Sequence, residues 1–224
     1  MKTIAASWGS RLSRAWLIFF FLGGANQSFA IGLDFDKTFS TVGERQQIHY
    51  RAGYSLNGQS HEVEVWRDHN QRLRRRTDEK VESFIFKPAR KAEWQMVVLD
   101  LQRKIRTDID RTNLYRIGHF TDWFSLSHSL SRPSGAFILN AISEVATGTK
   151  PAALCRWYAL VRENVESKIC WSTDLRLPML ITDSKNNLQW QITAFDSRPL
   201  SASTFAINDR GFVRNNANED IQVD

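Results

Sequence analysis

The chain has 224 residues, of which 42% are hydrophobic, 12% aromatic and 24% charged, and its formal net charge is +6. This composition is globular and excludes an intrinsically disordered protein, while the 11 glycines and 5 prolines exclude a collagen-like or proline-rich linker protein. The length predicts one domain, or two at most. No apolar run reaches roughly 18 residues, so the sequence predicts no ordinary membrane-spanning helix.

The N-terminal segment has the layout of a secretory signal peptide. Lys2, Arg11 and Arg14 form a positive region, the apolar run 15–22 follows, and small residues precede a cleavage site after Ala30. We therefore expect this segment to be removed and the protein to be exported to the periplasm. An uncleaved anchor is the alternative, but the apolar run is far shorter than the roughly 20 residues that span a bilayer. Cleavage lowers the net charge from +6 to +3, which weakens the case for nucleic-acid binding.

From Gln46 onward, β-rich runs alternate with short turn signals at intervals typical of an antiparallel sheet or barrel. Asn57-Gly58 is the strongest two-residue hairpin signal. The predicted strands of the first half span residues 47–56, 60–67, 72–77, 80–87, 94–101 and 104–109. Neither a βαβ alternation nor a glycine-rich phosphate motif is present, so a dinucleotide-binding fold is disfavoured.

The segment 120–130 interrupts the strands, because its apolar residues recur at helical spacing. Thr121 is the expected N-cap, and Asp122 favours the first turn of the helix. Pro133 and Gly135 are expected to end it. Such an amphipathic helix needs an apolar surface to cover, and a curved sheet supplies one.

Strand-like runs then resume, and the chain ends in a polar segment. The predicted strands of the second half span residues 136–143, 157–161, 167–169, 178–182, 188–196 and 204–207. We predict one mainly β (α+β) domain over residues 31–214, with the signal peptide 1–30 before it and a flexible polar tail 215–224 after it. Its fold is a curved antiparallel meander sheet, or unclosed β-barrel, with the short amphipathic helix packed on the concave face.

Both cysteines, Cys155 and Cys170, lie in the exported part of the chain. Two cysteines in an oxidising compartment usually pair. They flank a predicted hairpin. If its turn is centred near Glu163-Asn164, the two cysteines lie on neighbouring strands, opposite each other or diagonally adjacent. Whether they can form a disulfide therefore depends on the register of the two strands. A metal site would need more ligands, and a CxxC redox motif is absent. We therefore predict a structural disulfide.

Sequence motifs of hydrolases are absent, including G-x-S-x-G and H-E-x-x-H. The histidines share no tight ligand spacing, which favours solvent-facing or hydrogen-bonded side chains and predicts neither a metal nor a cofactor. They are His49, His61, His69, His119 and His128. Because the carboxylates are scattered as well, a hydrolase is a less favoured hypothesis.

A basic run lies on the third predicted strand, where Arg72, Arg74 and Arg76 point to one side. Three guanidinium groups on one face could hold a phosphate or a carboxylate, or line the rim of a lipid site. The favoured alternative is a solvated face whose charges are balanced by acidic residues on neighbouring strands. These are Glu62, Glu64, Asp78, Glu79 and Glu82.

Aromatic residues are abundant, with six tryptophans remaining after the signal peptide. The runs 81–86 and 94–99 carry apolar groups on both faces, whereas a half-exposed strand would alternate more cleanly. The second face is therefore either covered in a packed core or lines an apolar cavity, and the packed core is the favoured interpretation.

Val65-Trp66-Arg67-Asp68 followed by Arg72-Leu73-Arg74, together with the later strand 98–104, resembles motifs of the LolA/LolB-like periplasmic carriers. The resemblance extends in pattern over roughly residues 46–207. It implies a curved, unclosed barrel that holds helices in its concave face and binds acyl chains. Two features depart from that family: no long N-terminal helix is evident in 31–45, and the disulfide hairpin is not a general family feature.

The sequence thus predicts a non-catalytic periplasmic binding or carrier protein for an apolar or amphiphilic ligand, such as a lipid, a lipid-linked group or a lipoprotein. The alternative is an accessory or assembly factor that binds a protein partner in the cell envelope through exposed loops such as 143–150. The expected ligand-lining residues are Phe84, Phe86, Trp94, Met96, Trp123 and Phe124, with Arg74 and Arg76 at a polar rim.

Overall fold

The structure, a computed structural model, describes residues 32–87, 94–110 and 122–216. The predicted signal peptide lies outside these residues, as do Phe120, Thr121 and His119. The described chain is mainly β, with a twelve-stranded sheet and two short α-helices, α1 (Phe35–Thr38) and α2 (Trp123–His128). The strands are β1 (Gln47–Leu56), β2 (Gln59–Asp68), β3 (Arg72–Thr77), β4 (Val81–Phe86), β5 (Gln95–Asp100), β6 (Ile105–Asp110), β7 (Ile138–Ile142), β8 (Arg156–Arg162), β9 (Val165–Ser172), β10 (Leu177–Asp183), β11 (Leu188–Asp196) and β12 (Val213–Asn216).

All twelve strands belong to one sheet, in the order β12-β6-β5-β4-β3-β2-β1-β11-β10-β9-β8-β7. The strands β1–β6 form one antiparallel meander and β7–β11 a second, and the pairing of β1 with β11 joins the two. The predicted curved, unclosed sheet is confirmed. One pairing departs from the prediction, because β12 lies parallel to β6.

Turn residues with positive φ set the register of the hairpins. Asn57 and Gly58 have φ of 52° and 76°, as expected of the tight turn that matches strand twist. Glu163 and Asn164 likewise have φ of 50° and 64° and form the tip between β8 and β9. This register places Cys170 opposite Trp157, two residues from Cys155. Cys155 and Cys170 form a disulfide with a Cα–Cα distance of 5.3 Å.

Within β1–β6, successive side chains alternate between two faces of the sheet. We call the face that contacts α2 the inner face. It carries Tyr50 and Leu73, which share a buried cluster with Leu126 of α2, and the Tyr50 hydroxyl donates to the Ser127 carbonyl at 3.2 Å. The opposite, outer face carries Trp66 and other residues that are described below with the candidate site.

The predicted helix is present, but its N-cap is Asp122, whose carboxylate accepts from the Ser125 amide at 2.8 Å. It ends earlier than Pro133 suggests, since Ser129 adopts the left-handed conformation with φ of 53°. Residues 125–128 of this helix are buried. The much shorter α1 packs Phe35 against a second buried cluster that contains Trp171.

The predicted strand 204–207 is wrong, because Ala202–Phe205 forms a 3-10 helix. Ser201 caps this helix by accepting from the Ser203 amide. The surrounding segment 197–212, which we call the strap, connects β11 near the middle of the sheet to β12 at its edge. It must therefore cross β1–β6, and its contacts show that it does so on the outer face. Asn215 and Asn216, the first residues of the predicted tail, lie in β12, and the rest of that tail lies outside the described residues.

In the described ranges, no helix is long and apolar enough to cross a membrane.

Candidate functional site

A row of stacked aromatic, imidazole and guanidinium groups crosses the outer face from β1 to β4, at positions that are paired between neighbouring strands. His49 stacks on Trp66 with ring centroids 5.0 Å apart. The Cζ atom of Arg74 lies 4.7 Å from the Trp66 ring and 5.5 Å from the Phe84 ring. Cation–π contacts of this kind hold a guanidinium group in place.

The two arginines that were predicted to form a polar rim both bind one carboxylate. Arg74 donates from Nη2 to Glu82 Oε1 at 2.6 Å, and Arg76 donates from Nε to the same atom at 2.7 Å. Glu82 is itself buried. These pairs match the charge balance of the alternative hypothesis for the basic run, but the face is not solvated, since the Arg74 side chain is only 16% exposed. Both guanidinium groups already bind the protein itself.

The strap is fastened to the outer face at successive strands. The Leu200 amide donates to Gln47 on β1 at 2.9 Å, and Arg74 on β3 donates from Nη1 to the Thr204 carbonyl at 3.0 Å. At the far end Arg106 on β6 donates from Nη1 to Asp209 at 2.6 Å. This hydrogen bond holds the pKa of Asp209 below its ordinary value.

The pKa of Arg106 is raised by its hydrogen bonds with Asp108 first and then with Asp209, so the group that anchors the end of the strap stays charged. Beyond β4, Ile207 and Phe212 of the strap pack on an outer-face cluster that includes Phe84. The strap is therefore held both by hydrogen bonds and by apolar contact.

An apolar pocket of about 490 Å³ lies between the strap and the ends of β3 and β4. Arg72 closes one side, with its Cζ atom 4.6 Å from the centroid of the Phe205 ring. This volume lies within the roughly 300–1,000 Å³ of small-molecule sites, which are mostly apolar with a few placed polar groups. The lining consists of Gln71, Arg72, Leu73, Phe84, Ile85, Phe86, Lys87, Ala202, Phe205, Ala206 and Ile207.

The structure divides the predicted ligand-lining residues instead of bringing them together. Phe84 and Phe86 line the pocket on the outer face. Met96 lies opposite Ile85, one position from Phe86, so it faces the inner side of the sheet. Because side chains at adjacent strand positions point to opposite faces, the Met96 side chain cannot lie beside those of Phe84 and Phe86.

The other aromatic residues of the predicted lining lie in packed regions. Trp94 is buried in the same cluster as Met96, and Trp123 packs against that cluster. Phe124 packs instead in the second cluster, where its ring stacks on His128 at 4.5 Å. For Trp94 and Met96 this distribution matches the packed core that was the favoured interpretation of the run 94–99.

Sequence reasoning did not identify a buried charged group at the end of α2. Arg67 lies between Glu44 and His128, with its Nη1 atom 2.8 Å from His128 Nε2 and 3.1 Å from Glu44 Oε2. Nε2 also lies 2.9 Å from Glu44 Oε2, and because a guanidinium group only donates and a carboxylate only accepts, no tautomer satisfies both contacts. We assign Nε2 as the acceptor from Arg67, which puts the imidazole proton on Nδ1. Nδ1 then donates to the Phe124 carbonyl at 3.1 Å. Burial lowers the pKa of His128, which favours this neutral form.

Ser127, His128 and Glu44 superficially resemble a Ser-His-acid arrangement, with 2.7 Å from Ser127 Oγ to His128 Nδ1 and 2.9 Å from Nε2 to Glu44. The protonation state argues against catalysis, because Nδ1 already carries a proton and cannot accept one from the serine. Ser127 and His128 are both fully buried, and the serine hydroxyl donates to the Trp123 carbonyl at 2.6 Å. We interpret the group as structural.

The three other described histidines each lie beside a carboxylate, which matches the expectation of hydrogen-bonded side chains. The pairs are His49 with Glu64, His61 with Asp78 and His69 with Asp68. In the part of the chain that the structure describes, no cluster of three or more potential ligands could hold a metal ion.

A second concavity of about 960 Å³ lies near Gly53, where β1, β2 and β11 meet. Most of its lining residues are polar or charged, and its Glu64 already accepts from His49 and Arg51 at 2.8 and 3.1 Å. Few apolar side chains line it, so we regard the smaller pocket beneath the strap as the better candidate for a ligand site.

Comparison with known proteins identifies no family. No protein-family model matches the chain, and no curated protein matches it. Among solved structures it is similar to a crystal structure of MucB, with 13% identity and a TM-score of 0.41 over 77% of this chain and 61% of that one. It is also similar to the complex of Pseudomonas aeruginosa MucA/MucB, with 16% identity and a TM-score of 0.41 over 77% and 59%. The present chain thus spans about three-fifths of these structures.

Proposed function

We propose that the protein is a non-catalytic binding protein that holds an apolar or amphiphilic ligand beneath its C-terminal strap. The observation that carries this proposal is the apolar pocket of about 490 Å³ between Phe86 and Phe205. A concave pocket that is lined mainly by aromatic and aliphatic groups is well suited to an apolar ligand.

The location differs from the one implied by the resemblance to LolA/LolB-like carriers. That resemblance places an acyl-binding cavity on the concave face, where Tyr50, Leu73 and Leu126 instead form a packed cluster. The candidate pocket opens on the other face of the same sheet and depends on the strap. The proposal therefore retains an apolar ligand and moves its binding site.

We place this activity outside the cytoplasm, in the periplasm. The disulfide between Cys155 and Cys170 supports this location, because such bonds persist in oxidising compartments. The signal-peptide layout of the N-terminal segment supports the same location.

The test combines native mass spectrometry with a fluorescent probe. Protein purified from its own cell envelope should carry extra mass that is lost on denaturation, and the emptied protein should bind the neutral apolar dye N-phenyl-1-naphthylamine. Ala206→Phe places a ring in the pocket from an exposed position of the strap. We expect it to weaken dye binding about tenfold or more, since it occupies the volume that the ligand needs.

Ala194→Phe is the matched control, because Ala194 is also exposed but lies on β11 outside the pocket. It should bind the dye like the wild type. The proposal is wrong if both variants bind the dye equally, or if the wild type carries no ligand and binds no dye.

Binding of an envelope protein is a second candidate function, supported by the position of β7 as the last strand of the sheet. The Leu139 carbonyl accepts from the Leu33 amide at 2.7 Å on the side away from β8. The backbone N–H and C=O groups of Ala141 also point away from β8, because every second residue of an edge strand directs these groups to the same side. Ile138 and Leu154 nearby are 54% and 94% exposed. An extended partner segment could add to such an edge.

A photo-crosslinking residue distinguishes this second function. Placed at Ile138, it should give one protein adduct in the envelope, whereas the same residue at Val165, which is also exposed, should give none. Adducts at both positions, or at neither, would contradict specific binding at the β7 edge.

A further inference from the structure

The concavity of about 960 Å³ near Gly53 is separate from the pocket beneath the strap, and none of the described residues of the strap lines it. Gly53 lies opposite Glu62 on β2 and opposite Gln191 on β11. Residues paired across neighbouring strands share a face, so the side chains of Glu62 and Gln191 stand on the two sides of the gap that the glycine leaves. The chain is described without interruption from β1 to β4 and from β7 to β12, so every strand around this gap is described.

The fold itself does not require a glycine at position 53. Its φ is not positive, and a Cβ atom there would lie 3.9 Å from its nearest contact, the His61 carbonyl oxygen. Glycine inside a strand weakens it, and it marks either a bulge or the close approach of a ligand. The bulge in this region belongs to β11, where Thr193 is the extra residue opposite Arg51 and Ala52. Gly53 is therefore best explained by a ligand that approaches the sheet there.

The side chains next to the gap are held in place by contacts among themselves. Glu64 Oε1 accepts from His49 Nε2 and from Arg51 Nε, and both Glu64 and Arg51 line the concavity. On the next strand Arg76 is held by Glu82 at 2.7 Å. Side chains that are already fixed lose little conformational freedom when a ligand binds.

The lining mixes both signs of charge with neutral polar groups. An anion would meet its carboxylates and a cation its guanidinium groups, whereas a sugar hydroxyl both donates and accepts and so matches either kind of group. Carboxamides such as that of Gln191 also offer both functions. The polar side chains of the lining are Arg51, Ser55, Ser60, His61, Glu62, Glu64, Arg76, Asp78, Glu79, Gln189, Gln191 and Thr193.

We propose that this concavity binds a neutral oligosaccharide, with one sugar ring over Gly53 between Glu62 and Gln191. The carboxylate of Glu62 accepts from the hydroxyls of the ring, and the carboxamide of Gln191 donates to them or accepts from them. The volume accommodates more than one ring. This site is independent of the pocket beneath the strap, so the inference goes beyond the proposed function.

Isothermal titration calorimetry on the purified, disulfide-bonded protein tests the ligand class. The neutral probes are maltotetraose, cellotetraose and tetra-N-acetylchitotetraose, and the charged probes are tetragalacturonate and the chitosan tetramer. We expect at least one neutral probe to bind with a Kd of about 1 mM or tighter, and more tightly than both charged probes. If no neutral probe binds, or if a charged probe binds most tightly, the inference is wrong.

Gly53→Leu fills the gap with a side chain, and it should weaken binding of the best neutral probe about tenfold or more. Asn140→Leu is the matched control, because Asn140 is an exposed residue of β7 outside the concavity. It should bind like the wild type. Equal affinities of these two variants overturn the assignment of the site.

A second variant, Glu62→Ala, decides the outcome if Gly53→Leu does not fold by circular dichroism. Glu62 is exposed, and its removal should weaken binding about fivefold or more, since a hydrogen-bond acceptor is lost. Unchanged affinity would contradict its role. Binding of N-phenyl-1-naphthylamine should be unchanged in all three variants, so that failure of this site is distinguished from failure of the pocket beneath the strap.

Discussion

Arg67 donates from Nη1 to His128 Nε2 over 2.8 Å, and both side chains are completely shielded from solvent. This contact exists only while the imidazole is neutral, because a protonated ring has no lone pair to accept with. A proton on Nε2 would instead be donated to Glu44, 2.9 Å away, and would place a second positive charge beside Arg67. The link between β2 and α2 is thus sensitive to pH.

The first prediction concerns stability in mild acid. Burial lowers the pKa of His128, so the unfolded chain takes up this proton more readily than the folded one. The free energy of unfolding should therefore fall as the pH decreases through about 6.5 and below. Burial raises the pKa of Glu44, but the hydrogen bond that His128 donates once Nε2 is protonated and the charge of Arg67 together lower it. Glu44 consequently stabilises the fold above its ordinary carboxyl range, and this contribution is lost in stronger acid.

Urea unfolding between about pH 7.5 and 5 measures this effect. The control is His128→Gln, whose side-chain oxygen can still accept from Arg67 but does not titrate. Above about pH 5.5, the free energy of unfolding of this variant should depend much less on pH than that of the wild type. Equal slopes in the two proteins would show that other groups cause the change.

The second prediction concerns removal of the buried cation. Arg67→Met leaves Glu44 with an unpaired, partly buried charge, and we expect a loss of about 3 kcal/mol in the free energy of unfolding. Arg51→Met is the matched control, because Arg51 also binds a glutamate but its side chain is 66% exposed. Arg51→Met should lower the free energy of unfolding by no more than about 1 kcal/mol, as is usual for exposed ion pairs. Similar losses in both variants would contradict the structural role of Arg67.

The third prediction concerns the disulfide, which joins cysteines separated by 15 residues. Closing a loop of that length stabilises a fold by about 3 kcal/mol, chiefly by restricting the unfolded chain. The double variant Cys155→Ala, Cys170→Ala should lose about this amount in urea unfolding. Wild type measured under reducing conditions should approach the variant, and a stability unaffected by reductant would contradict the prediction.

Much of the sheet could be predicted because its signals are local. Residues 47–56, 72–77 and 188–196 were predicted with the bounds that the structure shows for β1, β3 and β11. Alternating side chains and turn residues such as Asn57-Gly58 act within a few positions of the chain. The helix α2 was predicted for the same reason, since its spacing and its cap lie within one short segment.

The strap and the buried charged group could not be predicted in this way. Thr204–Ile207 reads as a strand, but its partners are Arg74 and other outer-face residues more than a hundred positions away. Likewise Glu44, Arg67 and His128 come from three separate segments that only the folded sheet brings together. Local patterns carry no information about which distant side chains meet.

The fourth prediction concerns the attachment of the strap. Asp209 accepts from Arg106 at 2.6 Å and from Arg214 at 3.3 Å. The Arg106 side chain is only 17% exposed, whereas that of Arg214 is 70% exposed. Because less screened charges interact more strongly, the pair with Arg106 should account for most of the anchoring.

Asp209→Asn should therefore loosen the strap without unfolding the sheet. We expect faster amide hydrogen exchange in residues 197–216, with exchange in β1 and β2 unchanged. Arg214→Gln is the matched control and should leave exchange in the strap close to the wild-type rate. The lowered pKa of Asp209 also predicts that the wild-type strap stays attached until the pH falls below the ordinary aspartate range. If Arg214→Gln loosens the strap as much as Asp209→Asn, the anchor is the exposed pair and the assignment to Arg106 is wrong.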